Sequence, residues 1–204
     1  MKYTLAMLSG LALIGLMIAC AALPEKEFSL ANERRNTLKK YKLDKYASNE
    51  FIAAETNYTA GKGYYSNDNG KSKESLDKAL SNYQLVMDKG FPAATADSKK
   101  EADQPKKQAD DIKASVAVKT EYDEAQALYD AALKAKSETN YAKAIDLLQE
   151  SKKKFQVVAK KAKEKRTKAD TAIRSTDKDL AGIEATAKEI ERLQAEEKNS
   201  AKTE

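Results

Sequence analysis

The chain of 204 residues contains no histidine, no tryptophan and one cysteine, Cys20. Without imidazole and with a single thiol, the usual ligand sets for zinc, iron and copper are missing, and so are nucleophile-base pairs of the Ser-His or Cys-His kind. An intrachain disulfide is excluded for want of a partner. No glycine-rich phosphate loop is present, because Gly61-Lys62-Gly63 is too short and no strand pattern precedes it. Carboxylates are plentiful, but none stands out from a solvated helical background, so no catalytic residue is nominated. An enzyme is not expected, nor is a cofactor, a metal site or a small-molecule substrate. With four Phe and no Trp, one large dense core is not expected either. What is abundant is Ala, Lys, Glu, Leu and Gln, all strong helix formers, against three Pro and seven Gly. The expected class is all-α, with thin helix-helix seams of Ala, Leu, Ile, Val and Tyr.

The start of the chain has its own layout. Lys2 is followed by an uncharged apolar run over residues 3–19, and Pro24, Glu25 and Lys26 then open a strongly polar sequence. That is the pattern of an export signal, and the run is slightly short for a membrane span. Met17-Ile18-Ala19-Cys20 resembles the bacterial lipobox, in the looser form found in spirochaete lipoproteins, with Met17 where Leu is commoner. The resemblance implies cleavage between Ala19 and Cys20, a diacylglyceryl thioether on Cys20 and palmitate-type acylation of the new amino terminus. Several acyl chains anchor durably, since each buried methylene contributes about 0.8 kcal/mol. Ala19-Cys20-Ala21 also fits the small-x-small cleavage rule of simple secretion, which would release a soluble protein and discard the cysteine. Loss of residues 1–19 removes one of 37 basic side chains, Lys2, and none of the 32 acidic ones, leaving a net charge of +4.

Residues 20–45 carry little periodic apolar signal and read as a lipidated Cys20 followed by a tether. From Tyr46 the spacing changes: Tyr46, Phe51, Ala54, Tyr58, Gly61 and Tyr65 recur mainly at steps of three and four and mark one helix. "SNDNG" at 66–70 reads as a turn with Gly70 in the left-handed region. Leu76, Ala79, Leu80, Tyr83, Val86 and Met87 mark a second helix, which "KGFP" at 89–92 is expected to end. A further helix is expected from Pro105.

This hairpin recurs about 71 residues later, where Tyr122, Ala125, Tyr129 and Ala132 match Phe51, Ala54, Tyr58 and Gly61. After a one-residue insertion Leu148 matches Leu76 and "FQVV" at 155–158 matches "YQLV" at 83–86, with Asn140 as N-cap of the second helix. Such self-similarity predicts stacked helical repeats. Leu128, Ala132, Tyr141, Ala144, Leu148 and Ser151 resemble the small and large positions of the tetratricopeptide repeat, although that pattern's Trp and final Pro are absent and Ser72 stands where the first copy should have Ala. A generic α-hairpin repeat accounts for the same residues. Either way the repeat domain spans 46–174. Leu180, Ile183, Ala187, Ile190 and Leu193 continue the three-four spacing, so 175–204 reads as a coiled-coil-like helix with a frayed tail.

Two surface features are candidates for binding. Residues 152–168 hold nine basic side chains (Lys152, Lys153, Lys154, Lys160, Lys161, Lys163, Lys165, Arg166 and Lys168) against one acid, Glu164. They form either a contact for anionic partners or a solvated face balanced by acids of 177–197 folding back beside it. Eight aromatics lie between Tyr41 and Phe91, serving as core or as a groove whose surface would include Tyr58, Tyr64 and Tyr65. Tyr64 and Tyr65 are adjacent, so one of them must leave the seam. The functional expectation is a lipid-anchored bacterial envelope protein that binds another envelope protein, or itself, through helical repeats; the alternative is a coiled-coil spacer or self-associating surface protein. Nucleic acid is not an expected partner, because export removes the chain from it.

Overall fold

The computed structural model describes residues 22–200, with side chains through 195, and every regular element in that range is helical. In order these are α1 (Glu25–Tyr41), a 3-10 turn (Leu43–Tyr46), α2 (Ser48–Tyr64), α3 (Asn69–Asp111), α4 (Ala114–Ala117), α5 (Lys119–Ser137) and α6 (Tyr141–Ser200). The expected all-α class, packed hairpins and long C-terminal helix are all present. Residues 1–19, read above as an export signal, and Cys20 lie outside the described residues. The chain divides into two units, up to Ala94 and from Thr95 onward, and α3 contributes to both.

In the first unit α1, α2 and the first part of α3 bury a stripe each. Ala31 and Leu38 face inward from α1, Ala54, Tyr58 and Gly61 from α2, and Leu76, Ala79, Tyr83 and Val86 from α3. Residues 25–41 are thus a packed helix and not a tether. Their apolar signal is thin because much of their contact is polar: the Arg35 guanidinium makes hydrogen bonds of 2.7–2.9 Å to both oxygens of Glu55. α2 and α3 approach so closely that a Cβ on Gly61 would stand 2.7 Å from Leu76 Cγ, and Ser72 Oγ donates to the Gly61 carbonyl at 2.8 Å. Ser72 therefore satisfies its hydroxyl inside the seam where alanine was expected.

Two local signals behave differently from expectation. α3 runs unbroken through Gly90, Pro92 and Pro105. An interior proline costs about 3 kcal/mol, but the surrounding turns are held by tertiary contacts. Gly90 serves close approach and not a C-cap, since a Cβ there would lie 2.8 Å from Leu43 Cβ, and Phe91 packs on Tyr41 with ring centroids 5.5 Å apart. In the 66–70 turn the left-handed residue is Ser66, at φ 67°, while Gly70 is already helical. Asp68 Oδ1 accepts from the Lys71 amide at 3.0 Å, and this cap starts α3.

The second unit repeats this plan with α3 from Thr95, α5 and α6. Its core gathers Ala102, Ala109, Val118, Ala125, Tyr129, Leu148 and Phe155, and Ser151 Oγ donates to the Ala125 carbonyl at 3.0 Å. Asn140 Oδ1 accepts from the Lys143 amide at 3.3 Å, so the expected N-cap forms. The 71-residue correspondence also extends ahead of each hairpin. Lys42 and Lys113 both take left-handed conformations, at φ 52° and 58°, and Ala47 and Val118 share an extended φ, −151° and −140°, with ψ of 58° and 57°. The Tyr58 hydroxyl donates to Asn32 in one unit, and that of Tyr129 donates to Asp103 in the other. The repeating unit thus has three helices, whereas a tetratricopeptide unit has two.

α6 is one helix of 60 residues with no break near 175. Its buried stripe ends at Ala162, and every residue from 163 to 195 is exposed.

Candidate functional site

The aromatics of the first unit are mostly spent on its interior. Tyr58 is buried; its ring lies 5.8 Å from that of Phe28 and 5.1 Å from the Arg35 guanidinium, and its hydroxyl donates to Asn32 Oδ1 at 2.5 Å. Tyr65 is half-buried against Phe28, centroids 5.2 Å apart. Tyr64 is the exposed member of the adjacent pair, with Lys71 Nζ 5.7 Å from its ring centroid. Tyr58, Tyr64 and Tyr65 therefore do not share one open face.

Beneath them sits a polar cluster that periodicity alone does not mark. Glu55 accepts from Arg35 and, at 2.6 Å, from the fully buried Tyr83 hydroxyl. The Arg35 hydrogen bonds hold the Glu55 carboxyl below its ordinary value, against the opposing effect of burial. Burial, reinforced by the carboxylate, pushes the Tyr83 phenol up. The equivalent residues of the second unit are Lys106, Gln126 and Phe155, and there Lys106 Nζ lies 5.6 Å from the Phe155 ring centroid. A charge-assisted triad in one repeat is thus a cation-π contact in the next. The arrangement joins α1, α2 and α3 of the first unit.

The basic residues of 152–168 are split by the helix. Lys152, Lys154 and Lys161 bridge to Glu101, Glu124 and Glu121 at 2.8, 2.6 and 3.0 Å, and Lys165 Nζ donates to the Ala117 carbonyl at 2.8 Å. Arg166 lies 3.9 Å from Asp170. Among the described residues, Lys153, Lys160, Lys163 and Lys168 form no ion pair. The balancing acids come from α3 and α5; those after Asp177 continue outward on α6 and do not fold back.

The open apolar surface lies farther along α6. Ile173, Thr176, Leu180, Ile183, Ala187 and Ile190 follow one another at alternating steps of three and four, joined at the edge by Leu193. Ile173, Leu180, Ile183, Ile190 and Leu193 each expose half or more of their surface. Thr176, Ile183 and Ile190 continue the line of the buried Leu148, Phe155 and Ala162, whereas the other buried line of α6, Ala144, Ser151 and Val158, runs on to Ala172, Asp179 and Thr186, so the exposed ribbon shares one line with the buried seam and is turned partly away from it. One edge of it carries Asp170, Asp177, Glu184 and Glu191, an acid every seven residues. Among the described residues, Asp177, Glu184 and Glu191 form no ion pair. The sequence spacing marks the ribbon from Leu180 on; Ile173 and the acidic edge come to notice once α6 is seen to be continuous.

Among the described residues no group of three or more His, Cys, Asp or Glu side chains gathers as a metal site, and no helix is long and apolar enough to cross a membrane. No protein-family model and no solved structure matches the chain. Over 126 residues the chain is 26% identical to Treponemal membrane protein A of Treponema phagedenis. That similarity covers 59% of this chain and 37% of the treponemal protein, so the chain spans little more than a third of the length of this distant, spirochaete relative.

Proposed function

We propose that this protein is a lipid-anchored envelope lipoprotein of spirochaete type that acts as a non-enzymatic scaffold, held by acyl chains on Cys20 and engaging another envelope protein through its helices. The observation that carries the binding role is the apolar ribbon on α6, contiguous and exposed over residues 173–193, whereas the repeat units expose large apolar side chains singly, as at Ile52, Leu85 and Val116. Monomeric surfaces leave scattered apolar residues, whereas a contiguous stripe marks an interaction face. The envelope location is supported by the lipobox-like Met17-Ile18-Ala19-Cys20 and by the distant similarity to a treponemal membrane protein.

Crosslinking in intact cells with the anchor in place tests this reading. It expects one reproducible, near-stoichiometric envelope protein, and capture of nothing but random neighbours overturns it. A second reading, a spacer, is favoured by α6 itself, which at 1.5 Å per residue reaches about 90 Å. It expects helix length, and not the identity of residues 173–193, to govern function.

A further inference from the structure

We propose that the α6 ribbon docks an amphipathic helix of another protein, one whose apolar face is bordered by Lys or Arg at seven-residue spacing. This rests on the scaffold reading and names the chemistry of its partner. The ribbon has the a/d form of a coiled-coil seam: Ile173, Leu180 and Ala187 occupy one set of positions and Thr176, Ile183 and Ile190 the other. A strict seven-residue stripe drifts around a straight helix by about 20° per heptad, so it is matched by a second helix winding left-handed along it and poorly matched by a flat surface.

Charge selects the occupant. In the positions that flank such a seam, one edge reads Asp170, Asp177, Glu184 and Glu191, while the other reads Ala172, Asp179, Thr186 and Leu193. There is no basic residue at either edge from 170 to 193. A second copy of this chain therefore meets its own acids: run parallel, Asp179 faces Glu184; run antiparallel over the six central layers, Asp177 faces Glu184 and Asp170 faces Glu191. Like charges at these positions select against self-pairing, and they equally disfavour an anionic lipid surface. Asp177, Glu184 and Glu191 lack basic partners among the described residues, so an incoming Lys or Arg edge supplies the missing counter-charges.

The test uses the full chain and two synthetic 28-residue helical peptides with identical Leu and Ile at their a and d positions, one flanked by Lys and one by Glu. Titration calorimetry at low salt is expected to show the Lys-flanked peptide binding at least tenfold more tightly, with sedimentation showing the chain alone monomeric. Replacing Ile183 and Ile190 with Asp abolishes binding while circular dichroism keeps the helix, since neither side chain is buried in the second unit. Converting Asp177, Glu184 and Glu191 to Lys reverses the preference. Equal binding of both peptides, binding of neither, or a chain that dimerises through Ile183 and Ile190 overturns the proposal. In those cases an envelope protein captured in cells still supports the scaffold reading through another surface, whereas peptide selectivity without any cellular partner removes that reading and leaves the site.

Discussion

Replacing Tyr83 with phenylalanine removes one oxygen atom from the first unit and reproduces what the second unit already has at Phe155. In the native chain the Tyr83 hydroxyl donates to Glu55 at 2.6 Å, and a hydrogen bond to a charged group contributes about 1.5–3 kcal/mol. Glu55 keeps its three hydrogen bonds from Arg35 and retains 27% of its side-chain exposure, so water recovers part of the loss. The expected destabilisation is then about 1–2 kcal/mol at pH 7. With a urea dependence of about 1.5 kcal/mol per molar for a unit of this size, the midpoint falls by roughly 1 M. Urea titration followed by circular dichroism measures it. The pH dependence adds a second check. The folded Glu55 carboxyl titrates below its ordinary value of 4.5, so its contribution is complete above that value and is lost as pH falls through the folded one. The gap between native chain and variant should therefore narrow on acidification. A midpoint that does not move at pH 7, or a gap undiminished at low pH, refutes the assignment of this triad as a load carried by charge.

Leu148→Asp places a carboxylate in the core of the second unit and should cost about 4 kcal/mol or more, a large part of a typical domain's stability; unchanged helix content and melting temperature count against the packing described for α6. Gly182→Ala meets nothing within 4 Å and should stabilise the outer part of α6 by about 0.8–1 kcal/mol through helix propensity alone, raising ellipticity without altering the repeat units. Cys20→Ala should leave unprocessed precursor, and an intact mass of the native protein without acyl groups would contradict lipidation. Any anionic partner held by Lys153, Lys160, Lys163 and Lys168 should weaken as salt is raised, because exposed charges are screened within about 10 Å at 0.1 M.

The parts of the fold that were legible share a cause. Tyr58, Leu76, Tyr83, Leu148 and Phe155 are large side chains at helical spacing, and burial of such a stripe dictates both the helix and the face it turns inward. The 71-residue echo was visible for the same reason. α1 was not, because its inward face is Ala31 and Leu38 one heptad apart with Asn32 and Arg35 between them. Its attachment depends on partners in α2 that are remote in sequence, so no local pattern announces it. The helix stop expected at "KGFP" fails through a related effect. Glycine and proline carry a local preference of a few kcal/mol, and contacts such as Gly90 on Leu43 and Phe91 on Tyr41 outweigh it once the unit has formed.

The candidate surface divides along the same line. Tyrosine density left core and groove open, and a core without tryptophan draws its tyrosines inward and satisfies their hydroxyls there, on Asn32, Glu55 and Asp103. Each phenol so committed is unavailable to a partner. The ribbon on α6 differs in kind: its aliphatic side chains have no polar group to satisfy and, among the described residues, no neighbour that buries them. One of its heptad lines, Ile183 and Ile190, continues that of the buried Leu148, Phe155 and Ala162, so residues 173–193 are patterned for packing against a helix even though burial on α6 ends at Ala162. A heptad pattern kept over residues 173–193, with an acid at four successive positions of one edge and no basic residue at either, has the features of a seam that awaits a helix of complementary charge.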